Sequence, residues 1–331
     1  MPIPEKLEIR QLDLELNGSC NLQCKMCPQS TGRERNFLKK LPWPVFEKII
    51  DDAMNYGLQS VSLHGSGEPT LNRDMPEMVR YIKERGLQCV SFTNGTKLTE
   101  TLSKQLIDAN IDILRISAVG YDRNSYIQWM SRDEYDLVRE NVKQFVRLNK
   151  DVGGKSEVHL YHLVADFENS SHEVQKYQKN WVEYTDAMAE IWLMHNWSGG
   201  LNAPYDRSRL TASQLRRSCG RPFSPLLQVR AGGIGNHHGA VVACCMVLGK
   251  DSQGVLGHLD HQSISDIVSG SKYQELRSAH MEQRFDDISY CRECDQLYNL
   301  PESLVWSNIP DRAYGKSKIS NDIDHREFTS R

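Results

Sequence analysis

Six short apolar, β-rich runs alternate with amphipathic helical stretches between Leu12 and Met194, and this alternation limits the fold more than any other feature. Residues 12–16, 60–64, 89–92, 111–117, 158–164 and 189–194 read as strands. Residues 44–55, 75–85, 99–109, 132–148 and 173–184 read as helices. Pro42 and Pro44 suit the start of the first helix, where a missing N–H costs nothing. Gly86 ends the second, and Asn94-Gly95 is a turn signal closing the third strand. Glu100 and Lys104 are spaced to support the third helix. In the fourth, Leu137, Val138, Val142, Phe145 and Val146 fall on one helical face. Strand–helix alternation implies parallel strands joined by right-handed crossovers, an α/β architecture. Six units fall short of the eight that close a full barrel.

Directly after the first strand stand Cys20, Cys24 and Cys27, spelling C-x-x-x-C-x-x-C. Three soft thiolates so close together can hold three irons of a cubane iron–sulfur cluster. The fourth iron is then left without a protein ligand and can bind a small molecule. A zinc site is the alternative, but structural zinc takes four ligands, and this segment offers three cysteines and no nearby histidine. The compartment bears on the choice. The 331 residues carry 40 basic and 43 acidic side chains, a net charge of −3, which gives no electrostatic footprint for nucleic acid. No apolar run could span a bilayer, and the first ten residues lack a signal-peptide core. A cytoplasmic location is therefore expected, where nine cysteines point to metal binding or catalysis rather than disulfides. Cys89, inside a strand, reads as core.

The cysteine segment resembles the signature of radical S-adenosylmethionine (SAM) enzymes, and the resemblance runs from about Leu12 to Leu297. It implies an open partial (β/α)6 TIM-like barrel and a [4Fe-4S] cluster on Cys20, Cys24 and Cys27 whose open iron chelates SAM. It also implies a reductant such as flavodoxin or ferredoxin, and hydrogen abstraction by a 5′-deoxyadenosyl radical. His64-Gly65-Ser66-Gly67-Glu68-Pro69 could be a plain strand-to-helix turn. It also resembles the family's Gly-Gly-Glu motif, which makes Glu68 a candidate partner of the SAM amino group. Thr93 and Asn94, otherwise turn residues, and Ser117 at the end of the fourth strand are further candidate SAM contacts. Arg115 shares a strand face with Ser117 and could pair with a carboxylate or be structural. Met26 stands where the family often carries an aromatic residue whose backbone meets adenine.

From Trp197 onward Gly199, Gly200 and Pro204 break the pattern. Residues 225–229 and 241–247 read as a hairpin about the turn 231–238, and 263–280 as a helix. Cys291-x-x-Cys294 fits a zinc ribbon, but the stretch resembles the SPASM/twitch extension of radical SAM enzymes. Five cysteines suit the shorter twitch type, with Cys219, Cys244, Cys291 and Cys294 on one auxiliary [4Fe-4S] cluster, used for electron transfer or structure. Cys245 is left over. It is a candidate hydrogen-atom donor to a substrate radical, or a packed inert thiol. The expected division is a barrel over 1–198, a small α+β cluster domain over 199–300, and a tail over 301–331. The tail reads as a solvated arm or a lid. Arg33, Arg35, Lys39 and Lys40 form a basic loop. His237, His238, His258 and His261 are possible metal ligands, and Tyr126, Trp129 and Asp166 possible cavity walls.

These readings point to dehydrogenation or epimerisation of a small molecule such as a sugar or aminocyclitol. The first strand comes early, at Leu12, which tilts the expectation away from a peptide substrate held by a leader-binding domain. Peptide modification remains the alternative within the class. A non-catalytic iron–sulfur electron-transfer or binding protein is the alternative outside it, one that has no need of an open iron.

Overall fold

The computed structural model describes residues 7–31, 36–164, 170–199, 219–248, 253–297 and 304–310. Period-two alternation decides the faces of its sheet. In β1 (Gln11–Leu14), Leu12 and Leu14 enter the apolar core, while Gln11 and Asp13 face the other way and bond to each other. The same split recurs in β2 (Ser60–Leu63), β3 (Gln88–Thr93), β4 (Ile113–Ser117), β5 (Glu157–Val164) and β6 (Met188–Leu193). Each of these strands pairs in parallel with the next in sequence order. One face packs under helices; Arg115, His159, Tyr161, Glu190 and Trp192 share the other, a polar inner face.

Short α1 (Pro28–Thr31) follows the cysteines, and α2 (Trp43–Met54), α3 (Met75–Glu84) and α4 (Glu100–Asp108) cover the first crossovers. The helix expected over 132–148 is α6 (Tyr135–Asp151), and an unexpected helix, α5 (Arg123–Met130), precedes it. Asp122 starts α5 with a capping box to Ser125, and left-handed Ser131 (φ 62°) ends it. α7 (Ser170–Tyr177) runs through a π-helical stretch, Gln178–Val182, into α8 (Glu183–Thr185). Trp181 from that stretch is fully buried with Tyr126 and Tyr177, and each large apolar side chain so buried stabilises the fold by about 1.5–3 kcal/mol.

β7 (Leu226–Gly232) pairs in parallel with β1 on its open edge, and β8 (His238–Val242) and β9 (Val255–His258) continue as an antiparallel meander. The expected hairpin is present, but its second strand stops at Val242, because Cys244 to Val247 turn back on themselves. The helix expected over 263–280 breaks at Gly270, extended at φ −67°, ψ 157°, into α9 (Ile264–Ser269) and α10 (Ser271–Met281). The arm expected beyond 301 contributes a strand: β10 (Leu304–Ser307) lies antiparallel on β6, with Leu304 buried. Among the described residues, ten strands thus form one sheet in the order β10-β6-β5-β4-β3-β2-β1-β7-β8-β9, open at both ends. No helix among the described residues is long and apolar enough to cross a membrane.

Candidate active site

The loop bearing Cys20, Cys24 and Cys27 leaves the C-terminal end of β1 and is stitched to the loops after β2, β3 and β4. The Glu68 amide donates to Ser19 O (2.9 Å), and Asn17 Nδ2 reaches Ser19 O (2.9 Å). Gln29 Nε2 donates to Gly18 O (3.1 Å) and to Ser66 O. Lys25 N donates to Trp129 O on α5 (2.8 Å). Gly67 has a steric reason to be glycine. A Cβ there would lie 1.7 Å from Asn17 O, so the two loops could not meet.

Glu68 is the hub of this assembly. Its Oε1 accepts from Thr93 Oγ1 (2.6 Å), Thr70 Oγ1 (2.7 Å) and Thr70 N (3.1 Å), and its Oε2 accepts from Asn94 N (2.8 Å). Burial pushes its pKa up, against the donors that favour the carboxylate. Thr93 and Asn94 therefore meet Glu68 directly. Asn94 Nδ2 continues to Asn21 Oδ1 (2.9 Å) and lies 3.9 Å from Cys20 Sγ, while its Oδ1 accepts from Thr96 N and Oγ1. Met26 is buried in the core, and Ser117 sits half-buried at the end of β4. Arg115 pairs with Glu190, buried, at 3.0 Å, and lies 5.1 Å over the Phe92 ring. Tyr126 does not wall a cavity: it is buried between Tyr135 and Trp181. Asp166, Arg33 and Arg35 lie outside the described residues.

The second cysteine set gathers below β7 and β8. Burial, then Cys244, Cys294 and Cys219, push the Cys291 thiol up, so all four sulfurs share one neighbourhood. Cys244 and Cys294 are pushed up to about 12, chiefly by burial. Burial likewise raises Cys20 to about 11 and Cys24 to about 12, and the neighbouring thiols add to it. Crowded thiolates that repel one another are stabilised when bound cations offset their charge. Among the described residues, neither cysteine set brings three ligand atoms within 4.8 Å of one another; His237, Asp260 and His261 are the group that does. Soft thiolates suit an iron–sulfur cluster, which takes each thiolate on a different iron. The donor sets thus fit [4Fe-4S] clusters.

The residues that join the two sets escaped the sequence reading. Glu15, buried directly after β1, accepts from Ser66 N (2.8 Å) and Ala231 N (3.3 Å). Arg230 on β7 lies 3.6 Å from Glu15 and donates to the carbonyls of Cys245 (2.7 Å) and Val247 (3.0 Å). Its charge is felt at Cys27 on the opposite side. Arg221 faces Cys245, Cys219 and Cys244, and their charges raise its pKa. Asp13 accepts from Gln228 (2.8 Å) and lies 3.7 Å from His64. One signal was available: Gln11, Asp13 and Glu15 recur at every second position of an otherwise leucine-rich strand.

Residues 14–170 match the family model described as the radical SAM superfamily, and residues 236–295 match the SPASM model, an iron–sulfur cluster-binding domain. A tungsten-containing aldehyde ferredoxin oxidoreductase cofactor-modifying protein of Pyrococcus furiosus is 29% identical over 146 residues, covering 44% of this chain and 40% of that protein. The chain spans less than half the length of the curated relatives it matches. Among solved structures, BtrN in complex with AdoMet and 2-DOIA is 18% identical at a TM-score of 0.58, covering 88% of this chain and 94% of that one. Streptococcus suis SuiB bound to its precursor peptide SuiA is 15% identical at a TM-score of 0.63, covering 82% and 67%. These likenesses establish the shared fold.

Proposed function

The chain belongs to the radical SAM superfamily, with [4Fe-4S] clusters and SAM as its cofactors, and from that premise we propose that it dehydrogenates or epimerises a small polar molecule such as a sugar or aminocyclitol. Cys20, Cys24 and Cys27 hold the SAM-binding cluster; Cys219, Cys244, Cys291 and Cys294 hold an auxiliary one. When bound and reduced, the first cluster supplies the electron that cleaves SAM to a 5′-deoxyadenosyl radical. The chain itself orients and encloses. Glu68 and Asn94 tie the cysteine loop to the ends of β2 and β3, so the SAM amino group meets a preorganised rim. Met26 and Ser117 are the further SAM contacts of this reading.

The observation that carries the reading is Arg230, which reaches Glu15 beside one cysteine set and the Cys245 and Val247 carbonyls beside the other. In this reading both sets border the polar inner face of the sheet, and the auxiliary cluster exchanges electrons with a substrate held there. That face supports a small hydroxylated or amino substrate. Its carboxylates, Asp13 and Glu15, are buried, and Phe92, His64 and Tyr161 form an aromatic wall with ring centroids 5.0 and 6.1 Å apart. BtrN, of the same fold, is seen with 2-DOIA.

The test is 5′-deoxyadenosine release under reduction, with a panel of sugars and aminocyclitols, in D2O. A substrate that raises release and takes no solvent deuterium is dehydrogenated; one that gains deuterium is epimerised, with Cys245 the donor to replace by alanine. No release from SAM, or release stimulated only by peptides, defeats the reading.

A further inference from the structure

A third cluster of metal-ligating side chains stands apart from both cysteine sets. It lies where the β7–β8 turn meets the segment after β9, and the proposed SAM chemistry makes no use of it. The ligand atoms of His237, Asp260 and His261 all lie within 4.8 Å of one another. His237 Nδ1 is 3.1 Å from Asp260 Oδ2, and His261 Nδ1 is 2.6 Å from Asp260 Oδ1. Three imidazole rings crowd the spot: His237 lies 5.0 Å from His258 and 4.3 Å from His261, centroid to centroid.

The surroundings hold these groups in place. The His238 amide donates to Asp260 Oδ2 at 2.9 Å. Burial opposes the Asp260 charge, but that amide and the two imidazoles outweigh it and bring its pKa down to about 2. Lys39 Nζ ties down the turn through the carbonyls of Gly235 (2.7 Å) and His237 (3.1 Å). The other two histidines fall outside this group. His238 turns back to Ala231 O (3.2 Å), and His258 Nε2 accepts the Ile234 amide (3.0 Å). His258 is a wall: burial brings its pKa down to about 4, so it stays neutral beside a cation.

We propose that His237, Asp260 and His261 bind one divalent transition-metal ion, zinc by the character of the donors, clipping the β7–β8 turn to the segment after β9. Two imidazoles and a carboxylate make a borderline donor set suited to such a dication. Each Nδ1 proton that now bonds Asp260 moves to a half-exposed Nε2, freeing the Nδ1 lone pair for the metal. The remaining coordination positions face solvent and take water.

The experiment takes the tag-free, cluster-loaded protein, equilibrates it with a slight excess of zinc under anaerobic conditions, and desalts it. Zinc and iron per chain are counted, and the zinc absorption edge is analysed. About one zinc per chain, with a nitrogen/oxygen shell near 2.0–2.1 Å, is expected. The His237→Gln/His261→Gln double variant loses that zinc at unchanged iron. No retained zinc, a sulfur shell near 2.3 Å, or an unaltered nitrogen/oxygen shell in the double variant would overturn the proposal. The wild-type shell alone decides the matter if the variant is poorly folded, and neither result touches the SAM reading.

Discussion

Arg115 and Glu190 show how much a single buried pair can carry. They meet at 3.0 Å across β5, almost without solvent. Replacing only Arg115 leaves a buried carboxylate uncompensated. Arg115→Met should cost about 3–5 kcal/mol of unfolding free energy in chemical denaturation. Arg115→Met/Glu190→Leu should recover most of that loss, and equal instability of single and double variants would refute the pairing argument. His159, beside them on β5, carries a pH signature. Burial, and then the Arg115 charge, bring its pKa from 6.5 down to about 4. A depressed folded-state pKa gives stability that is present above pH 6.5 and is lost as pH falls through about 4. Thermal melts should therefore decline over that window, by up to about 3 kcal/mol, and His159→Gln should flatten part of the decline. That Arg115 could pair with a carboxylate was legible beforehand, but not that the partner is Glu190 or that His159 is buried beside it, because a lone Arg or His on a strand does not reveal its partner two strands away.

At the scale of elements, α5 matters most for the site, and the periodic pattern passed over it. Its eight residues are too short and mixed to show a stripe. What makes it is local: the Asp122–Ser125 capping box, and Gly120 at φ 130°, where a Cβ would lie 2.3 Å from the Tyr126 backbone. Gly120→Ala should therefore shift α5 and, through Trp129 O, the amide of Lys25 in the cysteine loop. The expected outcome is less iron retained by the N-terminal set, read as iron per chain, with the C-terminal set still loaded. Asp122→Ala should cost only about 1 kcal/mol of stability with iron unchanged. Full iron in Gly120→Ala would show that the cysteine loop does not depend on α5.

For the whole molecule, β7 is the consequential strand. Four residue pairs, Gln11↔Leu226 through Leu14↔Val229, join it in parallel to β1, so barrel and cluster segment share one ten-stranded sheet. Far-UV circular dichroism and cluster absorbance should be lost together on heating. Two well-separated transitions would mean that the shared sheet does not couple the parts. Reconstituted protein should hold about eight irons, and Cys20/Cys24/Cys27→Ala about four; four falling to none would remove the auxiliary cluster. Sequence alone determined the parallel α/β plan, the two cysteine sets and the Gly67-Glu68 turn, because each is written in local spacing: period two, period 3.6, and cysteines a few residues apart. Only the tertiary structure decided that β7 closes onto β1, that β10 caps β6, that Glu68 clamps Thr93 and Asn94, and that Arg230 joins the two cysteine sets. Those contacts link residues far apart in the chain, and the hydrogen bonds and ion pairs that select them exist only once the sheet has brought the strands into register.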